Sequence, residues 1–190
     1  AGGLVGRNTG SITDSHAGVN VTSTVNVNIQ GGNRQSNGLA YAGGLVGINT
    51  VANGVVNTYA TGTVNASSTA TASAGNSIGN ATVYAGGLVG HSTVTGGVKY
   101  SFAAGNVTYT TAGKSTNIRY VGGLNGLGDA LASYRLSSQT VLNQTNTIGN
   151  LATINELRSE SFVTTNLLWS TSIWIFSGTN YPRIIGNIYI

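Results

Sequence analysis

The hexad Ala-Gly-Gly-Leu-Val-Gly constrains this chain more than any other feature. It begins at Ala1, Ala42 and Ala85, and a degenerate copy, Val-Gly-Gly-Leu-Asn-Gly, begins at Val121. The steps are 41, 43 and 36 residues. A recurring period of this size is the mark of a stacked repeat architecture. A tyrosine precedes each internal copy: Tyr41, Tyr84 and Tyr120.

A second block follows each hexad and aligns without gaps. Ile12, Val55 and Val98 share one position, and His16, Tyr59 and Phe102 share another. Ala17, Ala60 and Ala103 come next, then Val21, Val64 and Val107. The fourth copy drifts, with Tyr134 in the aromatic slot. A third stretch closes each unit. In the first unit Val25, Val27 and Ile29 alternate with polar residues, the period of a strand with one buried face. Clusters such as Gly31-Gly-Asn33 and Gly75-Asn76 supply the turns.

Such a unit carries few large apolar side chains and cannot offset its chain entropy alone. Stacked about 4.8 Å apart, equivalent residues form continuous ladders. The expected fold is all-β: a right-handed parallel β-solenoid of about four repeats of ~40 residues over positions 1–149. A capping segment with a short helix and terminal strands follows over 150–190. About two coils per unit would make a stack on the order of 40 Å long. An antiparallel β-sandwich is the alternative. Thr153 and Glu156 have capping-box spacing for the helix, and Trp169 and Trp174 are placed to cover an open solenoid end.

Composition narrows the setting. Only 6% of the 190 residues are Asp, Glu, Lys or Arg, so Asn, Ser and Thr must carry solubility. The net charge of +4 comes from scattered single cations, which argues against nucleic-acid binding. No apolar run approaches the ~20 residues of a membrane-spanning helix. No signal-peptide pattern is present, as expected of a mature chain or a fragment. Sequons at Asn20, Asn65, Asn80, Asn106 and Asn143 are candidate glycosylation sites.

Ala-Gly-Gly-Leu-Val-Gly followed by Tyr59-Ala-Thr-Gly-Thr-Val64 resembles the GLUG motif of bacterial and archaeal surface proteins. The segment Glu156-Leu-Arg-Ser-Glu-Ser-Phe162, Trp169, Ile173-Trp-Ile-Phe176 and Asn180-Tyr-Pro-Arg-Ile184 resembles the tail that follows such repeats. The resemblance covers roughly residues 1–140 and 150–184. It implies a secreted or cell-surface, adhesin-like protein with no catalytic residues.

The residues themselves point the same way. Asp14, Asp129, Glu156 and Glu160 are the only carboxylates and do not form the spaced pair of a glycosidase. His16 occupies the aromatic slot and reads as packing, and His91 reads as an exposed, tolerant position. Two separated histidines without cysteine make no transition-metal site, and no cofactor is called for. Gly113-Lys-Ser-Thr116 lacks the earlier glycine of a phosphate loop, with Thr108 in its place. Gly90-His-Ser92 lacks the closing glycine of a nucleophile elbow. Thr61-Gly-Thr63 and Thr69-Ala-Thr71 resemble ice-binding ladders but do not recur in register.

Three functions follow in descending order of support. The first is a non-catalytic structural or adhesive surface module, whose partners are surface glycans or proteins met through aromatics such as Tyr59, Tyr100 and Tyr109. The second is a head-to-tail filament of copies of this chain. There the strand carrying Ile184, Ile185, Ile188, Tyr189 and Ile190 would complete the open first repeat of the next subunit. The third is a polysaccharide-active enzyme, which needs an acid cluster the sequence does not offer.

Overall fold

A computed structural model describes residues 1–73 and 75–186. Strand takes up 51% of the chain and helix 6%. Strands β1 (Val5–Asn8), β2 (Ile12–Ala17), β3 (Val21–Ile29) and β4 (Gln35–Gly43) are followed by β5 (Val46–Asn49), β6 (Val55–Ala60), β7 (Val64–Ala72) and β8 (Ile78–Gly86). Next come β9 (Val89–Ser92), β10 (Val98–Lys99), β11 (Phe102–Ala103), β12 (Val107–Gly113) and β13 (Thr116–Gly122). Shorter strands follow: β14 (Asn125–Leu127), β15 (Tyr134–Leu136) and β16 (Asn150–Ala152). The tail adds helices α1 (Ile154–Arg158) and α2 (Glu160–Asn166) and strands β17 (Trp174–Ile175) and β18 (Arg183–Ile184).

The first sixteen strands form four sheets, and every pairing in them is parallel. The hexad sheet runs β1-β5-β9-β14. The slot sheet contains β2, β6, β10, β11, β15 and β16. The distal sheet runs β3-β7-β12, and the tyrosine sheet runs β4-β8-β13. Among the described residues only β17 and β18 pair antiparallel. These sheets therefore exclude the antiparallel sandwich.

The sequence alignment is also the spatial register. Val5 pairs with Val46 and Val46 with Val89. Tyr59 stands between His16 and Phe102, and Phe102 pairs with Tyr134. Each strand thus finds its partner one whole repeat away. Two coils per unit would have paired strands about half a repeat apart, and that expectation is corrected. The nine-residue strands β3, β4, β7 and β8 consume a repeat in a single pass. The sheets are only three to five strands deep, roughly 10–20 Å at ~4.8 Å per strand.

Two interiors result. The hexad and slot sheets enclose Leu45, Val46, Val55, Leu88, Val89, Val98 and Leu124. The distal and tyrosine sheets enclose smaller side chains, including Ala40, Ala42, Ala66, Val83 and Ala85. In the first interior the second glycine of each hexad lies against the alanine of the following block. A Cβ on Gly44 would fall 2.7 Å from the Ala60 Cβ, and one on Gly87 would fall 2.9 Å from the Ala103 Cβ. Real Cβ atoms do not come that close. In the fourth copy Arg135 takes the alanine's register position, and Gly123 faces its side chain and that of Gln139.

The slot sheet bends at one place in every copy. Asp14, Asn57, Tyr100 and Ala132 stand opposite one another, and all have positive φ, between 43° and 54°. The bend breaks the backbone ladder, and the next hydroxyl repairs it. Ser101 Oγ accepts from the Thr58 amide at 3.1 Å and donates to the Lys99 carbonyl at 2.7 Å. Ser133 Oγ accepts from the Ser101 amide at 3.2 Å. A second buried ladder closes the hexad sheet. Asn49 accepts from Asn8 Nδ2 at 2.9 Å and donates to the Val51 carbonyl at 2.9 Å and the Gly97 carbonyl at 3.2 Å.

The tail lies along the flank of the slot sheet, where the expectation was a plug at the end of the stack. Ring surfaces explain this. His16, Tyr59 and Phe102 stack at 4.9 and 4.8 Å on the outer side of their strands, and a single sheet cannot bury them there. Trp169 and Trp174 cover them, 4.4 Å apart, in one apolar cluster with Leu157, Val163 and Leu167. Trp169 Nε1 donates to the Tyr100 carbonyl, and the Tyr59 hydroxyl donates to the Pro182 carbonyl, both at 2.7 Å. The helical stretch is two helices where one was expected. Thr153 and Glu156 form the capping box of α1. Ser159 ends α1 and caps α2, because its extended backbone (φ −80°, ψ 128°) cannot continue the helix.

Gly44→Ala should destabilise the fold by about 1–3 kcal/mol through overpacking. Gly32→Ala, at a turn with nothing within 4 Å, should change stability by less than about 0.5 kcal/mol. Urea unfolding of the two variants measures the contrast.

Candidate functional site

The tyrosine sheet presents the most distinctive surface. Side chains alternate along its strands. Ala40, Ala42, Val83 and Ala85 point to the interior, so Tyr41, Tyr84 and Tyr120 point out. Their rings stack at 4.6 and 4.8 Å, nearly parallel. The strand spacing sets that distance, and the tyrosine before each hexad repeats it. His91 also stacks on this ladder, its ring centroid 4.7 Å from that of Tyr84 and its plane 8° from parallel. Its position reads as tolerant in sequence, but the ring is half-buried against the ladder. The tyrosine before the hexad, in the next strand back, creates that contact.

An apolar row runs beside the tyrosines. Leu39, Thr82 and Ile118 lie in register, and Leu39 and Ile118 are 44% and 39% exposed. Asn37, Asn80 and Thr116 form the next row, with Asn80 Nδ2 donating to Asn37 Oδ1 at 2.9 Å. Burial, followed by the neighbouring phenols of Tyr41 and Tyr120, pushes the Tyr84 hydroxyl pKa up. The opposite side of this slab, on the distal sheet, is different. Thr22, Thr24, Asn26 and Asn28 stand beside Asn65, Ser67, Thr69 and Thr71, then Thr108, Thr110 and Ala112. That face is polar and uncharged. Thr69 and Thr71 have asparagine and alanine neighbours in register, as the sequence indicates.

The tyrosine ladder ends at Tyr120, whose one ring contact among the described residues is Tyr84. A cleft of about 530 Å³ opens there, lined by Arg119, Tyr120, Gly126, Leu127, Gly128, Thr145 and Asn146. Gly128 has φ +105°, and its close approach to Ser92 leaves no room for a Cβ. Asn146 braces the wall, donating from Nδ2 to the Gly128 carbonyl at 3.1 Å and accepting from the Ile148 amide at 3.0 Å. Thr145 Oγ1 accepts from the Val121 amide at 2.8 Å. Arg119 occupies the register position that Val83 and Ala40 fill with apolar side chains, and it is exposed.

The other candidate residues are dispersed. Asp129 accepts from the Gly96 amide at 2.9 Å, and Asn57 Nδ2 reaches Asp14 at 3.4 Å. Hydrogen bonds from the Thr153 backbone, then from its side chain, lower the Glu156 pKa. Glu160 opens α2. Among the described residues no three of His, Asp and Glu gather to hold a metal, and no helix is long and apolar enough to cross a membrane. Gly113 to Thr116 is the tight turn between β12 and β13, with no helix after it. Of the aromatics expected to meet glycans, Tyr59 is buried under the tail at 4% exposure. Tyr109 packs on the second interior. Tyr100 is half-buried at the bend that holds Trp169.

Among the sequons, Asn20, Asn65, Asn106 and Asn143 are exposed and Asn80 is half-buried in its amide pair. Ile184 pairs with Trp174, and the Ile185 amide donates to the Ile173 carbonyl at 2.8 Å. Ile188, Tyr189 and Ile190 lie outside the described residues. No family model matches the chain, and neither a curated protein nor a solved structure matches it.

Burial lowers the pKa of both His16 and His91. In the unfolded chain both titrate near 6.5. Between the lowered folded value and the unfolded one, the unfolded chain binds more protons. Stability therefore rises with pH across that window and levels off above it. The urea midpoint should fall between about pH 7.5 and about pH 5. In a His16→Phe, His91→Tyr double variant the fall should be smaller. An equal fall in the double variant would assign it to other groups.

Proposed function

We propose that the chain is a right-handed parallel β-solenoid of about four single-turn repeats, acting at the cell surface or in secreted form as a non-catalytic structural and adhesive module. The supporting observation is the one-repeat register, which lays Tyr41, Tyr84, Tyr120, Leu39 and Ile118 out as one continuous exposed face. A right-handed path agrees with the general rule for parallel strand connections. The GLUG-like hexads and tail support a surface protein. The local roles of Asp129 and Glu156, one in a turn and one in a helix cap, support a non-catalytic reading. A head-to-tail filament draws less support, because Ile184 and Ile185 are already engaged within their own chain.

Adhesion should depend on the exposed face. Leu39→Asp with Ile118→Asp should reduce retention of the purified chain on polysaccharide-coated and protein-coated surfaces by at least about tenfold. Thr24→Asp with Thr110→Asp, on the opposite polar face, should leave retention unchanged. Equal loss in both pairs, or no retention of the parent chain, would defeat the reading.

A further inference from the structure

We infer that the cleft at the end of the tyrosine ladder binds an acidic sugar, a hexuronate residue of a polysaccharide. The inference rests on reading this face as a contact surface and names the ligand chemistry of one place on it. Along the ladder each internal ring spends both faces on its neighbours and offers only its edge. Tyr41 and Tyr120 end the series, and it is at the Tyr120 end that the ring borders a cleft. The apolar C–H face of a pyranose fits a flat aromatic surface, as amphipathic ligands do where one side is dry and the other wet.

Arg119 supplies the second half of the recognition. In the two preceding repeats its register position is an interior one, held by Ala40 and Val83. Arg119 is instead exposed at the edge strand, where a charge discourages further strand pairing. That accounts for a charge at the end of the sheet, but not for its position beside an aromatic platform in a cleft. Among the described residues no carboxylate side chain lines that cleft. A guanidinium grips a carboxylate with two parallel hydrogen bonds. The sugar carboxylate would therefore sit on Arg119 while its ring lies on Tyr120. Asn146 lines the same cleft, and with one amide hydrogen on the Gly128 carbonyl it would give the other to a ring hydroxyl. The volume of about 530 Å³ falls within the usual range for small-ligand sites.

Isothermal titration with oligogalacturonate, galacturonic acid and a neutral galacto-oligosaccharide tests this. The acidic oligomer should bind saturably, and at least about tenfold tighter than the neutral one. Galacturonic acid should also bind saturably, because the cleft takes a single sugar residue, and failure of the monomer to bind would overturn the inference. Tyr120→Ala and Arg119→Gln should each lose about tenfold, and Arg34→Gln, at a distant turn, less than about twofold. Tyr120→Leu keeps the bulk without the ring and serves if the alanine variant unfolds. Non-specific attraction to a chain of net charge +4 would make Arg34→Gln and Arg119→Gln equivalent and leave Tyr120→Ala unchanged. That pattern, equal affinity for the neutral sugar, or no binding would each overturn the inference. Retention of the Leu39→Asp, Ile118→Asp variant on surfaces is a separate readout, so the two proposals can fail independently.

Discussion

The close approach of the hexad backbone to the alanine of the following block governs the rest of the structure. Gly44 lies against Ala60 and Gly87 against Ala103. A side chain at either glycine would push the hexad and slot sheets apart. Leu45, Val46, Leu88 and Val89 could then no longer fill the space between them. That spacing also fixes the register, because a shift of one residue would bring Leu45 or Leu88 to the glycine position in one direction and turn the buried set outward in either. In the fourth copy Arg135 stands in the alanine's place, and Gly123 faces its side chain.

With the register set, two kinds of ladder follow from the same geometry. Apolar and aromatic residues stack because strand spacing matches the thickness of a ring. Polar residues stack because a buried amide or hydroxyl must find partners, and its own equivalent is the nearest group. Asn8, Asn49 and Ser92 do this in the hexad sheet, and Thr58, Ser101 and Ser133 do it at the bend. The two aromatic ladders have different fates. The one containing Tyr59 and Phe102 is sealed by Trp169 and Trp174. The one containing Tyr41, Tyr84 and Tyr120 is left half-exposed and carries the candidate site. Covering one ladder and leaving the other is what makes a repetitive chain two-sided.

Much of this was legible in the sequence because repetition turns alignment into contact. His16, Tyr59, Phe102 and Tyr134 could be placed in one row from spacing alone. The capping box at Thr153 was legible because its chemistry is local. Other features depended on geometry between distant segments. Nothing near Trp169 says whether it covers an end or a flank. The stacking of His91 depends on a tyrosine seven residues earlier, across a turn. Positive φ at Tyr100 and Ala132 runs against the preference of both residues, and the hydroxyls of Ser101 and Ser133 take up the amides it leaves. The outward tyrosines had a signal that could have been read. In Gly38-Leu-Ala-Tyr-Ala-Gly43 the small residues alternate with the large ones. Small inner residues are what two closely packed sheets require, which turns Leu39 and Tyr41 to the outside.

The one-repeat parallel register carries the whole account, and the absence of cysteine makes it directly measurable. Thr24 and Ser67 stand opposite each other in β3 and β7. Adjacent strands about 4.8 Å apart fall within the Cα separation a disulfide accepts, about 4.4–6.8 Å. Oxidation of a Thr24→Cys, Ser67→Cys variant should close an intramolecular disulfide in the folded chain. A Thr24→Cys, Thr71→Cys variant, offset by two outward positions, should remain reduced under the same conditions. Closure of the offset pair, or failure of the aligned pair in a chain that retains its fold, would contradict the register and the exposed face built on it.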